Sequence, residues 1–231
     1  MDIQVLASGS RGNCYRVTDG KTALLLDCGI PFAEIRKTLD YRTSEIAACL
    51  LTHEHGDHAR AVKDVLKAGI DVYTSQGAAR ALALESHRLH TVKSKSRFVV
   101  GSWSILPFDT VHDAAEPLGF MLDSGDERLL FATDTAYLRY RFPELTHIML
   151  ECNYDLALLK ANVAAGLVSP EVKRRVLKSH MSLETAKNML KANDLRRVRE
   201  IVLIHLSDDN SDARQFKNEI ARTTGKVVRI A

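Results

Sequence analysis

Several features that would fix a class at once are missing from these 231 residues. No apolar run approaches the ~18 residues of a membrane-spanning helix, so a helical membrane protein is excluded. The opening Met1-Asp2-Ile3-Gln4 is acidic and leads straight into a strand pattern, so no secretory leader is expected. Low-complexity stretches and tandem copies are absent. Neither GxGxxG nor GxxxxGKS/T follows a strand, which argues against dinucleotide and P-loop cofactors. Cysteine is sparse: the four residues Cys14, Cys28, Cys49 and Cys152 show no CxxC pairing and lie in or beside apolar segments. Buried free thiols in a reducing cytoplasm are the expectation. The formal net charge is only +3, so total charge identifies no anionic partner and its distribution has to be consulted.

What is present is concentrated in Thr52-His53-Glu54-His55-Gly56-Asp57-His58, directly after the apolar stretch 46–51. Imidazoles and a carboxylate at this density suit divalent zinc, manganese or iron. In an extended segment, side chains at i and i+2 point the same way, so His53 and His55 can converge on one ion. Asp57 and His58, past the turn at Gly56, can face a second.

The length and composition predict one α/β domain over residues 1–231. Strands are expected at 3–6, 14–18, 22–27, 47–51, 71–74, 97–100, 102–108, 118–123, 128–132, 147–150, 201–204 and 227–230. Helices are expected at 31–39, 57–68, 76–84, broadly over 157–177, at 183–192 and at 213–223. Asp19-Gly20 and Ser124-Gly125-Asp126 read as hairpin turns, and Ser182 as a helix cap. Strands followed by helices recur in two halves, which favours two mixed sheets packed face to face with helices outside over a doubly wound parallel sheet.

Further candidate ligands stand where apolar strands end: Asp27 after 24–26, His112 after 105–111, Asp134 after 129–133, His205 after 201–204. Together with the His-rich run they suggest a site built along the rim of a sheet scaffold. In this order, Asp27, His53 to His58, His112, Asp134 and His205, the chain resembles the metallo-β-lactamase fold superfamily. The resemblance implies a four-layer αβ/βα sandwich of two mixed sheets with a dinuclear metal site. By position it implies His53, His55 and His112 on one ion, Asp57, His58 and His205 on the other, Asp134 bridging, and Asp27 hydrogen-bonded to the His-rich loop. The segments 8–13, 112–120, 151–155, 179–182 and 205–210 are similar to the YycJ/WalJ subgroup, itself akin to the tRNase Z branch, and this implies cleavage of nucleic-acid phosphodiesters. Tyr154 departs from that pattern, which has histidine there. Glyoxalase II and true β-lactamases fit less well, since no HTPGHTPGS-like sequence surrounds His112.

A carboxylate-bridged pair of divalent ions brings the pKa of water near neutrality and neutralises phosphodiester charge. Asp57 can orient the nucleophile as well as ligate metal. The leaving oxygen then needs a proton, for which His180 is the candidate general acid and Glu151 the partner that fixes its tautomer. Basic residues cluster around His180, from Lys173, Arg174, Arg175 and Lys178 onward to Arg199, and a second group runs from His87 to Arg97. Either can track phosphates or simply be a solvated face. The expectation is a dinuclear metal-dependent phosphodiesterase, a nuclease with DNA ahead of RNA as substrate, using zinc or manganese with iron also compatible. A hydrolase of a small ester, lactone or cyclic phosphodiester stands as the alternative, and a metal-binding regulatory module as the reading from another class.

Overall fold

The computed structural model describes residues 1–231, which divide into two compact units: Met1–Asp109 with Ala114–Asp126, and Thr110–Asp113 with Glu127–Ala231.

In the first unit, β1 (Asp2–Ala7), β2 (Cys14–Thr18), β3 (Ala23–Leu26), β4 (Ile46–Leu50), β5 (Asp71–Ser75) and β6 (Leu89–Val92) form a six-stranded sheet in that order. The first three pair antiparallel and β3 to β6 parallel. Asp19 closes the β2–β3 hairpin by accepting from the Lys21 and Thr22 amides. β3 and β4 are buried on both faces and accordingly read as near-continuous apolar runs. Leu25, Cys49 and Val72 stand abreast in register on one face. They pack against Ile35 of α1 (Phe32–Thr38) and against Val62 and Val65 of α3 (Val62–Lys67), and α4 (Gln76–Ala81) follows β5 directly. Each buried aliphatic side chain of this row contributes about 1.5–3 kcal/mol.

The same unit carries β7 (Phe98–Val100), β8 (Trp103–Asp109) and β9 (Leu118–Ser124), an antiparallel run belonging to the second, seven-stranded sheet. Its turns are tied to the β2–β3 hairpin: Ser102 and Ser124 hydroxyls both donate to Asp19, and the Trp103 indole donates to Thr22 O at 3.0 Å. The second unit supplies β10 (Glu127–Ala132), β11 (His147–Glu151), β12 (Glu200–Ile204) and β13 (Val227–Ile230), all parallel. Its helices are α5 (Leu156–Ala164), α6 (Pro170–Ser179), α7 (Leu183–Lys191) and α8 (Ala213–Thr224). α7 and α8 bury Leu183, Ala186, Met189 and Leu190, and Phe216 and Ile220; left-handed Gly225 (φ +66°) ends α8.

Three elements differ from expectation. β6 was not anticipated. The helix expected over 57–68 is α2 (Gly56–Ala59) followed by α3, because its backbone ladder is diverted. Asp57 O accepts from Asn13 N (2.7 Å), His58 O from Cys28 N (2.8 Å), and Ala61 N turns to Cys28 O (2.9 Å). The broad 157–177 helix is split into α5 and α6 at Ser169-Pro170. There the Ser169 hydroxyl accepts from Val172 N and the proline opens a new helix.

Candidate metal centre

Candidate ligands sit where strands end, and the backbone bends sharply to put them there. Asp27 after β3, Asp134 after β10 and His205 after β12 are all left-handed, at φ +57°, +41° and +53°. This conformation costs a non-glycine residue about 1–2 kcal/mol, a strain of the kind that collects at functional sites.

In the first unit the His-rich run is organised from beneath by Asp27, which is fully buried. Its Oδ1 accepts from Thr52 N (2.8 Å) and Thr52 Oγ1 (2.9 Å), and its Oδ2 from His58 Nδ1 (2.7 Å). Thr52 gives its only hydroxyl proton to Asp27, so it can only accept from His53 Nδ1, 2.9 Å away. Both imidazoles therefore carry their proton on Nδ1 and turn a lone pair out on Nε2, the form a metal requires. The His53 ring lies 4.7 Å from that of His55 and 4.3 Å from that of His58. Asp57 Oδ2 is 3.5 Å from His58 Nε2. Asn13 fixes the loop from the side: its Nδ2 donates to Gly9 O and stands 3.2 Å from His58 Nε2. Gly29 makes this approach possible, since a Cβ there would fall 1.7 Å from Asp57 O.

In the second unit the Asp134 carboxylate, 3% exposed, divides its oxygens between two histidines. Oδ2 is 3.4 Å from His112 Nε2 and Oδ1 is 3.5 Å from His205 Nε2. His112 Nδ1 donates to Ser179 O at 2.8 Å, leaving Nε2 unprotonated, and burial holds its pKa below the usual histidine range. Glu151, fully buried, accepts from Thr135 N and Met181 N on Oε2 and from His180 Nδ1 on Oε1 at 2.6 Å. Burial works against the charges of this pair. The attraction between them prevails, so the carboxyl is lowered and the His180 imidazole raised from their ordinary values. The His180 ring is stacked on His205 (5.4 Å) and edge-on to His112 (5.1 Å). Ligand atoms of Asp134, Glu151, His180 and His205 all lie within 4.8 Å of one another.

Within each unit the residues singled out from the sequence are brought together: His53, His55, Asp57 and His58 in one; His112, Asp134, His205, Glu151 and His180 in the other. Asp27 bonds the His-rich loop as expected. Sequence reasoning missed Thr52 and the clamp formed by Asn13. Asn13 lies in the quoted 8–13 motif, but only the return of the chain at 57–58 shows what it holds. The donor set, imidazoles with fixed tautomers beside two carboxylates, fits borderline divalent cations.

A family profile described as a beta-lactamase superfamily domain matches residues 22–206, which take in every candidate ligand from Asp27 to His205. The chain belongs to this superfamily. Among curated relatives, the family member exodeoxyribonuclease WalJ of Streptococcus pneumoniae is 27% identical over 224 residues, covering 90% of this chain and 82% of that protein. Exodeoxyribonuclease YycJ of Bacillus anthracis is 26% identical over 229 residues, covering 91% and 84%. Among solved structures, the metallo-beta-lactamase fold protein YhfI of Bacillus subtilis aligns with a TM-score of 0.75 at 16% identity, over 99% of this chain and 95% of that one. Human tRNase Z, short form, aligns at 0.65 and 14% identity, over 100% and 96%. The fold is therefore the superfamily's αβ/βα sandwich of two mixed sheets, and the YycJ/WalJ resemblance read from the sequence holds.

Proposed function

We propose that this chain is a dinuclear metal-dependent hydrolase of phosphodiester bonds, a nuclease acting from the ends of DNA. His53, His55 and His112 would hold one divalent ion, Asp57, His58 and His205 the other, and Asp134 both, so that the chain acts as one catalytic domain. When bound, the ions, zinc or manganese by donor type with iron compatible, supply an activated water and neutralise charge on the phosphodiester. The observation that carries the reading is the His180–Glu151 pair set against Asp134 and His205. The relatives named exodeoxyribonuclease support DNA as the substrate class.

The protein's own residues then divide the work. Asp27, directly and through Thr52, keeps Nε2 of His58 and His53 available. Asp57 orients the attacking water. His180 gives its proton to the departing sugar oxygen, and Glu151 keeps it protonated until then. A sugar alkoxide leaves poorly without a proton, whereas p-nitrophenolate leaves readily, so the substrates separate the roles. No helix of the chain is long and apolar enough to cross a membrane, and the four buried free cysteines fit a reducing compartment such as the cytoplasm.

The test is hydrolysis of bis-p-nitrophenyl phosphate beside end-labelled single- and double-stranded DNA, with manganese or zinc. Cleavage of both is expected; cleavage of neither refutes the proposal. His180→Ala with its metals retained should lose about 10²–10⁴-fold on DNA and far less on the nitrophenyl ester. Equal losses on both would remove His180 from the proton-donor role.

A further inference from the structure

α6 runs directly into the site: its last carbonyl, Ser179 O, accepts from His112, and the next residue is His180. Its inner side is packed, Val176 meeting Leu159 of α5 and Tyr154, with Val168 against them. Tyr154, the departure from the subgroup pattern, is thus a floor beneath the α5–α6 hairpin. Exposed apolar side chains mark the hairpin: Leu156 on α5, Leu167 between the helices, and Val172 and Leu177 on α6; Tyr41, Val99, Tyr137 and Val227 are exposed elsewhere. Leu167, at the hairpin tip beside left-handed Gly166, is 77% exposed.

Cations share this surface. Arg174 pairs with Glu171, while Lys173, Arg175 and Lys178 make no ion pair. Several of the other basic groups seen in the sequence are tied up. Lys187 is held by Glu184 and Glu219, Arg196 by Asp194, Arg199 by Glu127, Arg88 by Asp71 and Arg97 by Asp123. Unpaired cations interleaved with exposed aliphatic side chains match a polyanion that also offers apolar faces, which is what a nucleic-acid strand with unstacked bases offers. At 1.5 Å per residue α6 is about 15 Å long, roughly four nucleotides of one strand.

Resting on the nuclease reading, we propose that the α5–α6 hairpin is the surface that receives the substrate strand. Lys173, Arg175 and Lys178 meet its phosphates, and Leu167 and Leu177 press against unpaired bases. A single-stranded or frayed end is therefore preferred to a closed duplex.

The test uses the metal-loaded enzyme and two multiple variants of surface side chains, K173Q/R175Q/K178Q and L167S/L177S, with bis-p-nitrophenyl phosphate turnover as the control for folding and metals. The first should keep nitrophenyl turnover and raise the KM for single-stranded DNA at least tenfold. It should also flatten the salt dependence of kcat/KM by about 2 in log–log slope, from about 0.7 per lost phosphate contact. The second should keep the salt slope and lower the preference for single strands over blunt duplex about fivefold or more. DNA cleavage by both variants with wild-type KM, slope and strand preference would overturn the hairpin while leaving the nuclease reading intact. Wild-type enzyme that hydrolyses the nitrophenyl ester but no DNA would overturn both. Binding to phosphatidylserine vesicles that the triple variant loses, with DNA cleavage unchanged, would reassign the surface to a membrane.

Discussion

Asp27→Asn is the sharpest test of how the His-rich loop is set. Asp27 is fully buried and accepts from Thr52 N, Thr52 Oγ1 and His58 Nδ1, at 2.7–2.9 Å. An asparagine keeps the shape but replaces one accepting oxygen with an NH₂ group. If its oxygen stays on Thr52, its amide faces the Nδ1–H of His58, donor against donor. If the amide flips, the clash moves to Thr52 N. The remaining escape is for His58 to shift its proton to Nε2, where it opposes the Asn13 amide donor at 3.2 Å and can no longer ligate. Partners of ligating histidines typically contribute 10–100-fold in affinity, so this change should weaken metal binding by about 1.4–2.8 kcal/mol. The assay is competition against a chromophoric chelator for zinc and for manganese, with imidazole ¹⁵N shifts reporting the His58 tautomer and circular dichroism confirming the fold. Folded D27N protein with wild-type affinity and an Nδ1-protonated His58 would refute the argument. Thr52→Val should give a smaller loss confined to the ion held by His53.

Two further substitutions test the scaffold through its stability. Gly29→Ala places a methyl 1.7 Å from Asp57 O and 2.8 Å from Asn13 N, both backbone atoms; urea unfolding should show a loss of about 2–3 kcal/mol, and wild-type stability would contradict the close approach. Asp19 is half-buried and accepts from hydroxyls and amides, and the hydrogen bonds from Ser102 and Ser124 outweigh desolvation to hold its pKa below the usual carboxylate range. A depressed folded pKa contributes stability that is complete above the unfolded value near ~3.9 and is lost as pH falls toward the folded one. The melting-temperature advantage of wild type over Asp19→Asn should therefore be constant above about pH 5 and shrink below pH ~4; an advantage that grows on acidification would contradict this.

The parts of this protein legible in its sequence are those encoded locally. Apolar strands such as 24–26 and 201–204 announce themselves, as does a run like His53 to His58, because neither burial of a leucine row nor imidazole density needs the rest of the fold to be recognised. β6, four residues of mixed character in Leu89–Val92, has no local signal strong enough, and its pairing with β5 makes it a strand. The break between α5 and α6 was written in Ser169-Pro170 and could have been read. The break after α2 could not. It exists because Asn13 and Cys28, far away in sequence, take the carbonyls that a continuing helix would use.

The same reasoning explains why ligand identity was legible and ligand readiness was not. Four histidines have Nδ1 backed by groups of three kinds: the Thr52 hydroxyl for His53, the Ser179 carbonyl for His112, and carboxylates for His58 (Asp27) and for His205 (Glu151 at 3.5 Å, beside the Asn153 amide at 3.2 Å). No sequence pattern joins these partners; they share only their position behind a ligand. Asp27, Asp134 and His205 reach theirs from left-handed backbone that local propensity opposes. A scaffold holding such strain at three strand ends spends stability to keep Nε2 of each imidazole turned outward before any ion arrives. Loss of one backing group should then affect metal binding more than folding, which is why D27N is to be read by chelator competition before thermal melting.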